Sequence, residues 1–271
     1  MQHKLIGFIG GGNMAKAIIF GLLKKGYPAN RIIVSDPDRE KLAIYAEQGI
    51  EITENNKKAA ECAEVVLLAV KPQIIATVCE QLSAVDFSNK LLISIVAAIS
   101  VDRFSFLLPT AKNIVRVMPN TPALVSSGMA GLFAKANVTV EMKNFAQDLL
   151  NSVGESCWVD DEEKMHAVTA GSGSSPAYFF LLMESMQKAL LDMGLDFETA
   201  RLLVQQSALG AAKMVIENPR TEISLLRQNV TSKGGTTAAA LEVFDQAQLS
   251  ETIKQAMSAC VARSQQMEKL F

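Results

Sequence analysis

A glycine-rich segment near the start of the chain joins a short apolar run to a stretch with helical spacing. The apolar run is Lys4–Ile9, the helical stretch is Asn13–Lys25, and the segment between them reads Gly10-Gly11-Gly12-Asn13-Met14-Ala15. It fits the pattern G-x-G-x-x-A, in which the first glycine allows a tight turn, the second admits a pyrophosphate, and the small third residue lets the helix pack closely. The following helix start offers unpaired N–H groups to phosphates. We therefore predict a dinucleotide site, with a glycine turn kept only for packing as the alternative. The predicted cofactor contacts in this segment are Gly10, Gly11, Gly12, Asn13 and Met14.

Short apolar runs alternate with helical stretches through the first 160 residues. The further strand candidates are Arg31–Ser35, Val65–Val70, Lys90–Val96 and Asn113–Met118. Strands separated by helices need crossover connections, so this order predicts an α/β domain with a mainly parallel, doubly wound sheet of the Rossmann type. The unbroken Val and Leu content of Val65–Val70 is typical of a strand that is covered on both faces.

The pattern changes to helices alone after about residue 162. The helix candidates are Pro176–Met193, Asp196–Glu217, Thr236–Phe244 and Leu249–Leu270. We place the boundary at the acidic stretch Asp160–Lys164, which gives a dinucleotide-binding domain at 1–161 and an all-helical domain at 162–271. These helices are apolar on more than one face, which favours a homodimer interface. Packing against the first domain is the alternative.

Composition and charge argue against several classes of protein. The net charge of −2 and the lack of a basic run argue against a nucleic-acid partner. The longest apolar runs fall far short of the roughly 20 residues that span a bilayer, and the N-terminus does not read as a signal peptide. We therefore expect no membrane association and a cytoplasmic location. The four cysteines form no CxxC pair, so we expect neither a disulfide framework nor a metal site.

The second strand candidate ends at Ser35-Asp36, about 20 residues past the glycine segment, where a carboxylate can bond the ribose 2′-OH of NAD. We include both residues among the predicted cofactor contacts. A carboxylate there favours NADH because it repels a 2′-phosphate, although Arg39 lies close enough to complicate this preference. The alternative for Asp36 is a residue of an Asp-Pro turn.

Four further segments go beyond what a dinucleotide-binding fold requires. They are Ala69–Gln73 (AVKPQ), Arg116–Pro122 (RVMPNTP), Ser172–Tyr178 (SGSSPAY) and Thr231–Thr237 (TSKGGTT). Together they closely resemble the pyrroline-5-carboxylate reductase family, in order and over essentially the whole chain. The resemblance implies reduction of the cyclic imino acid 1-pyrroline-5-carboxylate to L-proline with NADPH or NADH. It also implies a Rossmann domain followed by a helical dimerisation domain, with further assembly into decamers.

The resemblance carries site residues onto matching positions. The implied cofactor contacts are Ala69, Val70, Lys71 and Pro72. From the residues themselves we add Ala97 and Ala98, which end a strand and leave room for the nicotinamide ring, and Asn120, whose amide can orient the nicotinamide or the substrate. The implied substrate contacts are Asn120, Ser232, Gly234, Gly235, Thr236 and Thr237, with Thr237 approaching the ring nitrogen as the catalytic residue. The residues themselves agree, because Lys71 follows a strand end and the 231–237 loop opens a helix that suits a small carboxylate. The alternatives are a solvated lysine at 71, a merely stiff loop at 119–122, and an ordinary helix N-cap at 231–237.

The chain departs from the family pattern at four positions. It has Lys233 where the family usually has Pro, Ser175 in place of Gly, Gly171 in place of Leu, and Ala98 where Gly is frequent. These departures bear on substrate affinity more than on reaction type.

Two other functions stay open from the sequence. A protonated ring imine is already an electrophile, so its reduction needs placement more than acid–base groups, in keeping with motifs rich in Gly, Thr, Ser and Pro. A 3-hydroxyacid-type dehydrogenase would need a proton-transfer lysine, for which Lys188 is the candidate on the first long helix. A module that only binds nucleotide and senses redox state is the alternative outside enzymes.

Overall fold

The structure is a computed structural model that describes residues 2–271. The chain forms two compact units. The first holds the chain up to Ser174 together with Cys260–Phe271, and the second holds Ser175–Ala259. The boundary at 161/162 follows the change in sequence pattern and stays a prediction. The compact units differ from it because residues 162–174 and the C-terminal segment belong to the same unit as the sheet.

The first unit is built on one sheet. Within residues 2–271 its eight strands are β1 (Ile6–Ile9), β2 (Ile32–Ser35), β3 (Glu51–Thr53), β4 (Val65–Leu68), β5 (Leu91–Ser94), β6 (Asn113–Met118), β7 (Gly128–Ala134) and β8 (Gly154–Trp158). Their order is β3-β2-β1-β4-β5-β6-β7-β8. Neighbouring strands are parallel except β6 and β7, which pair antiparallel. The predicted mainly parallel α/β sheet is therefore confirmed.

Helices connect these strands and continue through the second unit. Those of residues 2–271 are α1 (Asn13–Lys24), α2 (Arg39–Ala46), α3 (Asn56–Cys62), α4 (Ile75–Leu82), α5 (Val101–Leu107), α6 (Val140–Leu150), α7 (Lys164–Val168), α8 (Ser175–Asp192), α9 (Phe197–Glu217), α10 (Ile223–Asn229), α11 (Thr236–Gln246) and α12 (Leu249–Glu268). A π-helical turn at Thr169–Gly173 follows α7.

Each face of the sheet carries its own apolar core, since successive strand residues point to opposite faces. Phe8 packs with Ile18 of α1 and Leu149 of α6 on one face. Ile9, the next residue of β1, packs with Val78 of α4 and Phe104 of α5 on the other. Helices on both faces explain why the central strands are continuous apolar runs and confirm the doubly wound arrangement.

The second unit is helical and covers little of its own apolar surface. In α8 the buried residue is Pro176, and in α9 the buried residues are Ala200 and Val204. Phe179 and Phe180 expose 60% and 62% of their surface. Within the described residues 2–271, no helix combines the length and the apolar composition that crossing a membrane requires.

Candidate functional site

The glycine segment turns sharply at Gly10, directly after β1. Gly10 has a φ of +101°, and a Cβ there would lie 2.6 Å from the carbonyl oxygen of Ala69. Its N–H donates to the carbonyl oxygen of Ser35 over 2.7 Å. Only glycine combines this left-handed backbone with so close an approach to a neighbouring strand end.

Gly11 is held by two buried side chains. Its N–H donates to Asp36 Oδ2 over 2.8 Å, and its carbonyl accepts from the Tyr45 hydroxyl over 2.8 Å. Burial, together with the nearby charge of Asp36, raises the pKa of the Tyr45 hydroxyl well above its usual range. Tyr45 therefore keeps its proton and remains a donor, so the turn keeps its shape without a ligand.

Gly12 caps α1 and faces open space. Its φ is −73°, no side chain among residues 2–271 bonds the first turn of the helix, and a Cβ at this position would meet nothing within 4 Å. The first N–H groups of α1, at Asn13 and Met14, are therefore free of any capping side chain. A space beside an uncapped helix start matches what a pyrophosphate requires.

The Asp36 carboxylate stabilises two turns, in addition to the ribose contact that we predict for it. Its Oδ2 accepts from Gly11 N–H, its Oδ1 accepts from Asp38 N–H over 2.9 Å, and the residue is buried. The carboxylate thus fixes both the glycine turn and the Asp-Pro turn. Each carboxylate oxygen can accept a further hydrogen bond, so a bond to the ribose stays a prediction.

Ser35 bonds to Asn56, a residue that the sequence analysis did not predict. Ser35 Oγ donates to Asn56 Oδ1 over 2.7 Å, and Asn56 Nδ2 donates to Gln81 Oε1 over 2.7 Å. Asn56 and Gln81 border an open groove of about 540 Å³, lined by Thr53, Glu54, Asn55, Asn56, Lys57 and Gln81. Asn55 and Asn56 follow the carboxyl end of β3, where α/β sheets bind ligands. No local pattern marks them in the sequence, because β3 itself is short and largely exposed.

The carboxyl ends of the next strands bring the other predicted cofactor residues to the same edge of the sheet. Ala69–Pro72 follow β4, and the N–H of Ala69 donates to the carbonyl of Ile9 over 2.8 Å. Lys71 is exposed. Ala97 and Ala98 follow β5, and buried Ala98 has a φ of +60°. Alanine in the left-handed region is strained, and the sequence departs from the family pattern at this position.

Asn120, which follows β6, joins two of the sequence motifs. Its Oδ1 accepts from Met129 N–H over 2.8 Å, and its Nδ2 donates to the carbonyl of Ser172 over 3.1 Å. A Cβ on Gly173 would lie 2.5 Å from Met118 Cε, so the two segments also pack tightly. One N–H of the buried amide remains beyond these bonds for a ligand.

The 231–237 loop, in the second unit, ends at an uncapped helix start. Gly234 has a φ of +72°, and Gly235 caps α11 without a side-chain bond from any of residues 2–271. The N–H of Gly235 donates to the carbonyl of Ser232 over 3.0 Å. The alternative of an ordinary Ser or Thr N-cap is therefore wrong: the first N–H groups of α11, including those of Thr236 and Thr237, are left for another partner.

The described residues 2–271 contain no group of three or more His, Cys, Asp or Glu side chains that could hold a metal ion. The four cysteines are free thiols, of which Cys79 is buried.

Comparisons with known proteins agree along the whole chain. Residues 162–267 match the family model for pyrroline-5-carboxylate reductase dimerisation, and residues 5–98 match the model for NADP oxidoreductase, coenzyme F420-dependent. A pyrroline-5-carboxylate reductase of Haemophilus influenzae is 66% identical over 271 residues, covering 100% of both chains.

Solved structures give the same picture. A pyrroline-5-carboxylate reductase from Coxiella burnetii superposes with a TM-score of 0.93 at 42% identity, covering 98% of this chain and 99% of that one. A pyrroline carboxylate reductase from Plasmodium falciparum, solved with NADP bound, superposes with a TM-score of 0.87 at 29% identity, covering 99% of each chain.

Proposed function

The chain belongs to the pyrroline-5-carboxylate reductase family, and from this membership we propose which of its residues bind the cofactor and the substrate. The protein is an NAD(P)H-dependent oxidoreductase that reduces 1-pyrroline-5-carboxylate to L-proline, a step of proline biosynthesis. The observation that carries this conclusion is the 66% identity to a pyrroline-5-carboxylate reductase over the full length of both chains.

The cofactor lies along the carboxyl edge of the sheet in this proposal. The turn at Gly10–Met14 fits a dinucleotide because it has no Cβ at Gly12 and no capping side chain on α1. The N–H groups there bind the diphosphate, Ser35 and Asp36 contact the ribose, and Ala69–Pro72, Ala97, Ala98 and Asn120 surround the nicotinamide end. Bound NAD(P)H supplies the hydride.

The substrate carboxylate is bound by the 231–237 loop in this proposal. Ser232, Gly234, Gly235 and Thr236 supply N–H and hydroxyl donors, supported by the uncapped start of α11. Asn120 orients the ring with its remaining amide N–H, and the Thr237 hydroxyl bonds the ring nitrogen. The chain thereby positions an electrophile that needs no further activation, so that placement supplies most of the rate.

The test of this assignment is Thr237→Ala. Loss of one hydrogen bond to a charged iminium costs roughly 1.5–3 kcal/mol, so we expect kcat/KM for pyrroline-5-carboxylate to fall about 10- to 150-fold. The matched control is Thr252→Ala, in α12, whose hydroxyl bonds the carbonyl of Gln248, the residue directly before that helix. A Thr237→Ala enzyme with the parent's turnover and KM would remove the role of Thr237.

Cofactor preference is decided by comparing kcat/KM for NADH and NADPH, with Asp36→Ala alongside. We expect the parent to favour NADH, because the Asp36 carboxylate repels a 2′-phosphate. We expect Asp36→Ala to weaken both cofactors, since Gly11 N–H loses its buried acceptor, and to weaken NADH more. A parent that strongly favours NADPH would show that Asp36 serves the turn alone.

The two alternative functions predict different assays. Lys188, the proton-transfer candidate for a hydroxyacid dehydrogenase, is exposed on α8. That alternative requires oxidation of NAD(P)H with keto acids, and a nucleotide sensor requires cofactor binding without turnover. We expect turnover with pyrroline-5-carboxylate and none with a panel of keto acids.

The assembly and location follow from the same proposal. The match to a dimerisation family model and the apolar surface of α8 and α9 support a homo-oligomer. We infer a homodimer that assembles further into a decamer and works in the cytoplasm, where its four thiols stay reduced.

A further inference from the structure

A buried polar cluster connects three parts of the first unit that are far apart in sequence. Arg116 belongs to β6, His166 to α7, and Ser264 and Glu268 to the end of α12. Arg116, His166 and Ser264 are 5%, 2% and 8% exposed. Groups of this polarity are rarely buried unless each has a partner, and here each one does.

Glu268 lies at the centre of the cluster. Its Oε1 accepts from Arg116 Nη1 over 2.7 Å, and its Oε2 lies 2.9 Å from His166 Nε2. His166 Nδ1 in turn lies 2.9 Å from Ser264 Oγ. One carboxylate thus bonds to both β6 and α7. Its removal leaves a buried guanidinium with a single carboxylate, that of Glu162.

Both residues bound by Glu268 lie just before segments of the candidate site. Arg116 precedes Asn120 by four positions, and His166 precedes the turn Thr169–Gly173 by three. Those two segments meet again where Asn120 donates to the carbonyl of Ser172. The segment from β6 to Asn120 and the segment from α7 to Ser172 are therefore joined twice. Glu268 joins them near their start, and the Asn120 amide joins them near their end.

Packing around these two segments leaves little room for adjustment. A Cβ on Gly131 of β7 would lie 2.4 Å from Val168 Cγ1, and one on Gly173 would lie 2.5 Å from Met118 Cε. Interiors packed so closely transmit a shift of one segment to the next. A displacement of β6 relative to α7 therefore reaches Asn120.

We propose that Glu268 is a positioning residue of the reductase: it holds β6 and α7 in the register that aims the Asn120 amide at the substrate ring. This inference rests on the assignment of Asn120 to the site. Nothing in the sequence near Glu268 announces the role, because its partners are supplied by a strand and a helix more than 100 residues earlier.

The experiment compares Glu268→Ala, Glu268→Gln and the milder Ser264→Ala in the full-length enzyme. A glutamine amide can accept from Arg116 and donate to His166 Nε2 once the His166 proton sits on Nδ1, towards Ser264. The matched control is Glu141→Gln, which removes an exposed carboxylate that lies 3.1 Å from Lys4 Nζ. The measurements are kcat, KM for pyrroline-5-carboxylate, Kd for NADPH, Tm and oligomer mass.

We expect Glu268→Ala to raise KM for pyrroline-5-carboxylate about tenfold, since small misplacements of a positioning group cost that much or more. Kd for NADPH is expected to change less than KM, because the diphosphate and ribose contacts proposed at Gly10–Met14, Ser35 and Asp36 lie on other strands. Glu268→Gln restores KM to near the parent value, and Glu141→Gln has no effect. A purely structural cross-link would lower Tm and the active fraction and leave KM alone.

Failure of the premise and failure of the inference are told apart by Asn120→Asp, which keeps the acceptor for Met129 and removes the amide donor. If Asn120→Asp raises KM and a folded Glu268→Ala enzyme does not, the positioning role is wrong and the site assignment stands. If Asn120→Asp leaves KM unchanged, the premise fails and the inference with it. If Glu268→Gln is as impaired as Glu268→Ala, hydrogen-bond positioning is overturned. Should Glu268→Ala not fold, Ser264→Ala must raise KM for the proposal to hold.

Discussion

The two compact units differ in how much apolar surface their own chain covers. In the first, Phe8 and Leu67 are fully buried between helices and sheet. In the second, Phe179 and Phe180 of α8 stay largely exposed, and α9 buries Ala200 and Val204. The first unit has what it needs for stability within one chain, whereas the helices of the second lack a partner surface.

The glycine-rich turns of the two units differ in the same way. The turn at Gly10–Gly12 is fixed by Ser35, Asp36 and Tyr45 before any ligand arrives. The loop before α11 is exposed, and nothing lies within 4 Å of a Cβ placed on Gly234. The first turn is therefore preformed by its own packing, whereas the loop before α11 has fewer contacts to fix its shape.

The largest effect is expected from a charge placed on the apolar surface of α8. In the proposed homodimer, Phe180→Asp puts a carboxylate on the apolar surface that a second copy covers. Burying an unpaired charge costs several kcal/mol, so we expect the dimer dissociation constant to rise more than about 100-fold. Sedimentation equilibrium measures this change. Phe106→Asp, on α5 of the first unit, is the matched control because Phe106 is 73% exposed and contacts Arg103. Equal dissociation in both variants would remove the contrast between the units.

The next effect tests the preformed turn. Gly10→Ala combines left-handed backbone strain with a Cβ at 2.6 Å from the Ala69 carbonyl oxygen. We therefore expect the free energy of unfolding to fall by roughly 3 kcal/mol or more, and cofactor binding to be lost as well. Urea denaturation and NADPH titration measure the two losses.

Gly12→Ala is the control for that variant, because its φ of −73° suits alanine and its surroundings are empty. We expect unchanged stability and NADPH affinity at least about tenfold weaker, because the methyl group takes space that the pyrophosphate requires. A Gly12→Ala enzyme that binds NADPH as the parent does would place the phosphates elsewhere.

Much of the fold was accessible from the sequence wherever burial leaves an apolar run. The strand predicted at Asn113–Met118 matches β6, and the candidates for β1, β2, β4 and β5 end within two residues of the observed strands. The strands β3, β7 and β8 were missed. The first is a short edge strand with two polar residues out of three. The strand β7 is apolar, but its run is interrupted by two glycines, and β8 is an edge strand that mixes glycine with polar residues.

The candidate site was accessible only where its chemistry is local. The spacing Gly10–Ala15 predicts its own turn and helix, because all the contacts that define the pattern are made within a few residues. Asn56 and Glu268 give no such signal. Asn56, which follows β3, accepts a hydrogen bond from Ser35 at the end of β2. Glu268 accepts a hydrogen bond from Arg116, which lies 152 residues earlier. Their contacts depend on tertiary packing that a single sequence does not encode locally.

The smallest effect concerns a position in the first unit at which the side chain does not suit the backbone conformation. Ala98 has a φ of +60°, where alanine is disfavoured by roughly 1–2 kcal/mol. Glycine removes that strain, but it also raises the conformational entropy of the unfolded chain, which offsets part of the gain. Ala98→Gly should therefore raise the free energy of unfolding by about 0.5–1 kcal/mol. The measurement is Tm, expected to rise by roughly 1–4 °C. Ala97→Gly is the matched control, since the non-glycine residues with positive φ among residues 2–271 are Ala98, Ser126 and Gln248, and it should lower Tm. If Ala98→Gly lowers Tm instead, packing of the Ala98 methyl group stabilises the first unit by more than the backbone strain destabilises it.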